Sequence, residues 1–150
     1  MIVADVMTAY PETLDPEATI QKAAQLMRDH DYGVMPVVDE LGSLVGIVTD
    51  RDIVVKAVAS GHGPETPLRE CMTASPDTVP KDLPIDKALH LMNTRQIRRV
   101  PVVETGRLIG MVSLSDIANS GVQGEEILKT LESSSASGGA LSTGAGLLEA

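Results

Sequence analysis

The chain contains one segment twice, and this duplication constrains its fold more than any other feature. Residues 7–53 recur as residues 72–117, at an offset of 65 positions that falls to 64 after one deletion. The matches include Met-Thr at Met7 and Met72, and Pro-Val-Val at Pro36 and Pro101. A repeat of this length forms a supersecondary unit too small to bury a core alone, so two such units must pack together. We therefore expect the functional surface at the junction of the two repeats.

Composition predicts a globular protein with an aliphatic core, because 43% of residues are hydrophobic while Phe and Trp are absent. The net charge of −9 and the shortage of aromatic rings argue against a nucleic-acid-binding protein, which needs cations for phosphates and rings for bases. No apolar run reaches the roughly 18 residues of a membrane helix, and the first residues lack the pattern of a signal peptide. We therefore expect a cytoplasmic protein that contacts no membrane.

The residue types that commonly bind metals are scattered. Cys71 is the single cysteine, so an internal disulfide is impossible, and its match in the other repeat is Val6. An apolar match favours a buried, unreactive thiol, although a redox role through an intermolecular bridge stays open. The three histidines do not share the spacing of a helical metal pair. We therefore predict no metal site.

Each repeat is predicted to form a short strand, a helix, two further strands and a second helix. In the first repeat the short strand is the extended piece at residues 13–14. Helical spacing of apolar residues marks the first helix, for which Thr19 supplies the N-cap in the first repeat. The residues with this spacing are Ile20, Ala23, Ala24 and Met27, and then Ile85, Ala88, Leu89 and Met92. Strands are predicted at residues 33–38, 44–48, 100–103 and 108–112, with second helices at 53–60 and 117–119. Pro36 and Pro101 each remove a hydrogen-bond donor, so both should lie at a strand start or a sheet edge.

These elements divide the chain into four segments. Residues 1–60 and 68–120 form the two repeats, and residues 61–67 link them. Residues 121–150 are predicted to contain a short amphipathic helix and a low-complexity tail rich in Ser and Gly. Whether this tail stays flexible or docks through its leucines is left open by the sequence.

A hydroxyl residue followed three positions later by aspartate stands at the end of the last strand in each repeat. These turns occupy residues 49–52 and 113–116. One interpretation is a helix capping box, in which Thr49 or Ser113 satisfies free amides of the next helix. In the other interpretation, the hydroxyl and the amides bind a phosphate while the aspartate accepts hydrogen bonds from a ribose diol. The duplication of the turn favours a nucleotide site.

Two adjacent arginines, Arg98 and Arg99, precede the Pro-Val-Val strand of the second repeat. Arginine binds phosphate oxygens in a bidentate manner, and each charge-assisted bond contributes about 1.5–3 kcal/mol. The alternative is a solvated turn whose arginines pair with the surplus acidic residues. Both interpretations remain open at this point.

Together, the tandem repeat, the Pro-Val-Val strands and the paired Gly-x-x-Thr/Ser-x-x-Asp turns resemble a pair of CBS (cystathionine-β-synthase) domains, also called a Bateman module. The likeness is greatest to the small stand-alone bacterial members, including hypoxic-response-like proteins, and covers about residues 3–120. The resemblance implies an α/β (α+β) fold of two repeats, each a small three-stranded sheet with two packed helices. It further implies pseudo-two-fold symmetry and two ligand clefts.

In the family, each cleft takes its Thr/Ser and Asp from one repeat and the early strand and pre-proline residues from the other. The preferred cleft would consist of Thr49, Arg51, Asp52, Thr78, Val79, Arg98, Arg99, Val100 and Pro101. The resemblance implies that Asp52 holds the ribose, Thr49 and the arginines the phosphates, and the valines the adenine.

The other cleft would consist of Thr13, Leu14, Val34, Met35, Pro36, Ser113 and Asp116. We expect it to be empty, weaker, or selective for a less charged adenosyl ligand, because Gly33 and Val34 occupy the positions of the two arginines.

The resemblance implies a regulatory module that senses AMP, ADP, ATP or S-adenosylmethionine and signals by a conformational shift to an unknown effector protein. No cofactor is required, although a triphosphate could bring Mg²⁺ with it. A homodimer is implied as well, with Ile53, Val54, Val58, Leu89 and Ile117 as contact candidates unless they pack within the monomer. The alternative is a protein-interaction or dimerisation module with vestigial clefts. No nucleophile stands beside a base, so an enzyme is not expected.

Overall fold

The computed structural model describes residues 1–121 together with Ile127 and Glu132. These residues form two compact units, each with one three-stranded antiparallel sheet and packed helices. This architecture confirms the predicted α+β class. Apart from Gly121, Ile127 and Glu132, the helix and tail predicted at 121–150 lie outside the described residues. In the part of the chain that is described, no helix is long and apolar enough to cross a membrane.

The first-repeat unit comprises Glu12–Pro76 and Gly106–Leu108. Its elements are α1 (Ile20–His30), β2 (Val34–Val38), β3 (Leu44–Thr49), α2 (Asp50–Asp52), a π-helical turn (Ile53–Val58), a 3₁₀ turn (Leu68–Glu70) and β4 (Thr73–Ala74). Its sheet has the strand order β2-β3-β4, with β2 antiparallel to β3 and β3 antiparallel to β4.

The second-repeat unit comprises Met1–Pro11, Asp77–Thr105 and the described residues from Ile109 onward. Its elements are a 3₁₀ turn (Val3–Asp5), β1 (Thr8–Ala9), α3 (Ile85–Arg95), β5 (Arg99–Glu104), α4 (Leu114–Ala118) and β6 (Arg107–Ser113), whose first two residues fall in the first-repeat unit. Its sheet has the strand order β1-β6-β5.

The third strand of each sheet comes from the start of the other repeat. In one sheet Thr8 pairs with Met111 of β6, and in the other Thr73 pairs with Ile47 of β3. The sequence instead predicts an extended piece at residues 13–14, where the structure has a single parallel bridge from Leu14 to Val37. Strands β1 and β4 contain two residues each, too few for the alternation that identifies a strand in sequence.

Helices α1 and α3 follow the predicted apolar spacing. Thr19 caps α1 by accepting a hydrogen bond from the Lys22 amide at 3.1 Å, and Ala24 alone of the eight spaced residues is exposed. The other seven are buried, and Met92 has no exposed surface. Pro36 and Pro101 lie in β2 and β5, the edge strands of their sheets, as predicted.

Candidate functional site

The turns after β3 and β6 are both capping boxes. Thr49 Oγ1 accepts the Asp52 amide hydrogen at 2.9 Å, and Asp52 Oδ2 accepts the Thr49 amide hydrogen at 3.0 Å. In the second repeat, Ser113 and Asp116 exchange the same two bonds at 3.0 and 2.9 Å. The capping-box interpretation is therefore confirmed. Each second helix consequently begins at residue 50 or 114, three positions before the predicted starts.

Beyond the capping box, the Asp52 carboxylate has further polar neighbours. Its Oδ1 lies 2.9 Å from Lys56 Nζ, and both of its oxygens lie 3.4 Å from the hydroxyl of Thr73. Asp52 is 8% exposed, and Thr49 beside it is buried as well. An internal cation and two hydrogen-bond donors thus hold the carboxylate that is predicted to bind the ribose.

Asp116 differs from its match in the first repeat. It is half-buried, and within the described residues its hydrogen bonds are those of the capping box. Ser120 occupies the position of Lys56, and its hydroxyl donates to the Ile117 carbonyl. Asp116 also faces an open depression of about 700 Å³, lined by Met1, Asp5, Val6, Asp116, Asn119 and Ser120. Its carboxylate is therefore accessible to a ligand.

Arg98 and Arg99 lie beside the turn of their own repeat. Both are exposed, and the Arg98 carbonyl accepts the Leu114 amide hydrogen at 2.8 Å. Among the described residues neither arginine forms an ion pair, so the interpretation in which they pair with surplus acids finds no support. They line a cavity of about 290 Å³ with Ser113, Leu114, Ser115, Ala118 and Ile127. Two guanidinium groups and two hydroxyls make this cavity suitable for an anion.

The strand segments predicted to enclose the adenine are built alike in both units. Val79 donates to the Pro101 carbonyl at 3.0 Å, and Leu14 donates to the Pro36 carbonyl at the same distance. Val79 is 3% exposed and Val100 is fully buried, so both valines belong to the core of their unit.

Exposure varies among the remaining residues predicted for the clefts. Thr13 and Thr78 are exposed, while Val34 and Arg51 are half-buried. The buried members are Leu14, Met35, Pro36 and Pro101.

The structure groups the predicted residues by unit. Thr49, Arg51 and Asp52 lie in the first-repeat unit, as do residues 13–14 and 34–36. The other predicted residues, Thr78, Val79, Arg98, Arg99, Val100, Pro101, Ser113 and Asp116, lie in the second-repeat unit. Each predicted cleft combines residues of both units, so this combination stays a prediction.

The sequence reasoning missed three residues at the turns: Lys56, Thr73 and Ser115. Two of them could have been identified from patterns in the sequence. Lys56 follows Asp52 by four residues, the spacing of a helical ion pair, and Thr73 belongs to the repeated Met-Thr pair.

No metal centre is visible in the described part of the chain, which contains no group of three or more His, Cys, Asp or Glu side chains able to hold an ion. Cys71 is buried at 2% exposure, as predicted. Burial raises the pKa of its thiol, and the negative charges of Asp52 and Glu70 act in the same direction, against Lys56. The structure therefore favours the unreactive form of this cysteine.

Comparison with known proteins gives consistent matches. The model of the CBS domain matches residues 3–58 and again residues 68–122. The CBS domain-containing protein YhcV of Bacillus subtilis is 40% identical over 116 residues, covering 77% of this chain and 82% of that protein. Hypoxic response protein 1 of Mycobacterium tuberculosis is 39% identical over 115 residues, covering 76% of this chain and 80% of that protein.

Solved structures show the same fold. Hypoxic Response Protein I, crystallised with two coordinated zinc ions, superposes with a TM-score of 0.73 at 37% identity and covers 79% of this chain and 98% of its own. CBSX2 in complex with AMP superposes with a TM-score of 0.72 at 26% identity, over 81% of this chain and 96% of that chain. The CBS domain pair of protein MJ0100 was crystallised in complex with 5′-methylthioadenosine and S-adenosyl-L-methionine. It superposes with a TM-score of 0.70 at 34% identity, over 80% of this chain and 94% of that chain.

Proposed function

Because the chain belongs to the CBS domain family and carries two copies of the domain in tandem, we propose that it is a regulatory module for an adenosine-containing ligand. Its ligand is AMP, ADP, ATP or S-adenosylmethionine, and ligand binding shifts the conformation that a partner protein reads. We propose neither a required cofactor nor a catalytic activity for the module. It acts in the cytoplasm as a homodimer.

The cavity beside Ser113 is the observation that carries this proposal. Arg98 and Arg99 are exposed and free of carboxylate partners among the described residues, so their charges are available to a ligand. An anion bound there would gain charge-assisted hydrogen bonds without having to displace a carboxylate of the described residues. A phosphate group suits the charge of these two residues, and a guanidinium group can bind its oxygens in a bidentate manner.

The carboxylates of the two turns suit the ribose part of the ligand. An ionised aspartate accepts several hydrogen bonds, and a ribose diol donates two of them. Asp116 is half-buried and faces an open depression, so it is accessible to such a diol. Asp52 is accessible only if its present partners move.

The related structures support the choice of ligand class. CBSX2 was crystallised with AMP, and the MJ0100 domain pair with 5′-methylthioadenosine and S-adenosyl-L-methionine. These ligands share an adenosyl group and differ in charge. A ligand of this kind can shift a conformational equilibrium only by its difference in affinity for the two states, so the signal depends on interactions that differ between those states.

A second candidate function is a protein-interaction or dimerisation module without a ligand. The internal ion pair at Asp52 favours it, since that carboxylate already has its partners. The exposed side chains of Val54 and Val58 favour it as well. The other three contact candidates, Ile53, Leu89 and Ile117, are buried within the chain.

Thermal unfolding with adenine nucleotides, S-adenosylmethionine and guanine nucleotides separates the two functions. At a hundredfold excess over its Kd, a ligand should stabilise the protein by about 2.7 kcal/mol, a shift of several degrees in Tm. We expect one adenine compound to produce this shift and the Asp116→Ala or Asp52→Ala variant to reduce it. If no compound changes the Tm of the wild-type protein at millimolar concentration, the ligand-free interaction module is the better account.

A further inference from the structure

A lysine of the chain itself holds the aspartate of the first turn. We propose that Lys56 is an internal counter-ion which the ribose of a ligand must displace from Asp52, and that Lys56 thereby selects anionic over uncharged adenosyl ligands at this turn. This inference rests on the proposed function and names a residue that sets ligand specificity there.

Lys56 is fixed at two points and yet remains open to solvent. Its Nζ lies 2.9 Å from Asp52 Oδ1 and 3.3 Å from the Thr73 hydroxyl oxygen. The Lys56 side chain is 47% exposed, whereas that of Asp52 is 10% exposed. The ammonium group therefore has open space to move into when it leaves the carboxylate, whereas the carboxylate itself is enclosed.

The hydrogen bonds of the Asp52 carboxylate decide what a ligand must replace. The Thr49 amide donates to Oδ2 and belongs to the capping box, so its loss would uncap α2. Lys56 is bound to Oδ1, and the Thr73 hydroxyl lies at the long distance of 3.4 Å from both oxygens. Because the Asp52 side chain is 10% exposed and Lys56 is its exposed partner, a ribose diol gains room for two short hydrogen bonds to this carboxylate by displacing Lys56.

Displacement leaves a lysine without its counter-ion next to the bound ligand. A ligand with a phosphate supplies a new negative charge within reach of the flexible lysine side chain. An uncharged nucleoside supplies none, so it loses a charge-assisted hydrogen bond without replacement. Lys56 thus weakens the binding of adenosine more than the binding of AMP.

The backbone that carries Lys56 differs from its counterpart in the second repeat. In the turn Ile53–Val58 the Ala59 amide donates to the Val54 carbonyl at 2.9 Å, five residues back, which is π-helical geometry. In α4 the Asn119 amide donates to the Ser115 carbonyl, four residues back. Single π-helical turns are rare and frequently lie at functional sites. The unusual turn therefore coincides with the helix that bears the lysine.

The second repeat supplies the natural comparison. Thr8 and Ser120 occupy the positions of Thr73 and Lys56, so the hydroxyl is kept and the cation is missing. The Asp116 carboxylate has no internal cation among the described residues. An uncharged adenosyl ligand meets no such competitor at Asp116, and the two turns therefore differ in the ligand charge they accept.

Calorimetric titration with adenosine and with AMP tests this inference. Asp116→Ala serves as the background, so that binding at Asp52 is measured. We expect Lys56→Met to strengthen adenosine binding roughly tenfold, the scale of one charge-assisted contact, and to leave AMP binding unchanged or weaker. Lys22→Met is the matched control, because it removes one exposed lysine of the same unit on α1. The ratio of the adenosine Kd to the AMP Kd should fall in Lys56→Met and stay unchanged in the control.

Each outcome decides the matter. If AMP binds and the Kd ratio is the same in Lys56→Met as in the control, the counter-ion inference is wrong while the proposed function stands. If adenosine binds to Lys56→Met but not to the parent protein, the inference is supported. If neither adenosine nor AMP binds to the wild-type protein or to the variant, the counter-ion inference fails, and the proposed function is then decided by the thermal shifts with ADP, ATP and S-adenosylmethionine. Lys56→Gln, checked for a cooperative thermal transition, replaces Lys56→Met if the latter does not fold.

Discussion

Gly46 of β3 lies directly against the backbone of Thr73 in β4: a Cβ atom at Gly46 would stand 2.8 Å from the Thr73 carbonyl oxygen. Real Cβ atoms do not approach backbone oxygens so closely, so Gly46→Ala must push the two strands apart. We expect the free energy of unfolding to fall by about 1–3 kcal/mol, the usual range for overpacking, as measured by urea denaturation.

Two other glycines provide the controls. A Cβ at Gly33 would meet no atom within 4 Å, so Gly33→Ala should leave the stability nearly unchanged. At Gly110 the nearest atom is Met7 Sδ at 2.5 Å, at the end of a flexible side chain, and the Thr8 carbonyl oxygen is 3.2 Å away. Gly110→Ala should therefore be milder than Gly46→Ala. An equal loss in all three variants would contradict the close contact described for Gly46.

The capping hydroxyls make a second prediction. Thr49→Ala and Ser113→Ala each remove the acceptor for one helix amide, and each should cost about 1 kcal/mol of unfolding free energy. Thr49→Ser keeps the hydroxyl and loses only a methyl group, so most of the stability should remain. Chemical denaturation of the four proteins, wild type included, measures this. A Thr49→Ser loss as large as that of Thr49→Ala would show that the hydroxyl is not the stabilising group.

The exposed arginines should matter for binding and not for folding. Because Arg98 and Arg99 form no ion pair among the described residues, their replacement by alanine should change the unfolding free energy by less than about 0.5 kcal/mol. The stabilisation produced by a phosphate-bearing ligand should fall, together with its dependence on salt concentration. The Tm with and without ligand provides the measurement. Arg28→Ala is the control, because Arg28 is an exposed arginine that pairs with Asp29 and lies outside both turns. An equal loss of ligand-induced stabilisation in Arg28→Ala would argue against a specific site at Arg98 and Arg99.

Cys71 should make stability depend on alkaline pH. Burial raises the pKa of the folded thiol above its ordinary value of 9.0, so the unfolded chain releases this proton first as the pH rises. The contribution of Cys71 to stability is then complete below about pH 9 and decreases above it. The matched variant is Cys71→Val, because valine occupies the corresponding position of the other repeat, Val6.

The measurement for Cys71 is the unfolding free energy of wild type and Cys71→Val at about pH 8 and about pH 10. Other groups titrate alike in both proteins, so the difference isolates the thiol. The wild-type protein should lose more stability over this interval. Parallel pH profiles would show that the thiol pKa is the same in the folded and unfolded states.

Features that depend on nearby residues could be predicted from the sequence. The apolar spacing from Ile20 and from Ile85 identified α1 and α3, and the residues at 49 and 113 identified the capping boxes that precede α2 and α4. These signals are local, since a helix buries one face and its first amides need acceptors within a few positions. The spaced apolar residues lie within α1 and α3, and the second helices begin three residues before their predicted starts.

Features that depend on residues distant in the chain could not be predicted from the sequence. The pairing of Thr73 with Ile47 rests on a two-residue strand that carries no periodic signal. This pairing brings the Thr73 hydroxyl to Asp52, so the neighbours of that carboxylate were beyond the reach of sequence patterns as well. Exposure was equally nonlocal: Ala24 fits the apolar spacing and is nevertheless exposed.

The pairing of Thr8 with Met111 has a consequence for how the protein is made. During synthesis the first strand leaves the ribosome roughly a hundred residues before its partner exists, and contacts of such long sequence separation slow folding. The sheet of the second-repeat unit can close only after nearly the whole described chain has emerged. We therefore expect the β1 residues to remain unpaired during most of translation. On a ribosome stalled after the first repeat, β1 would have no strand to pair with.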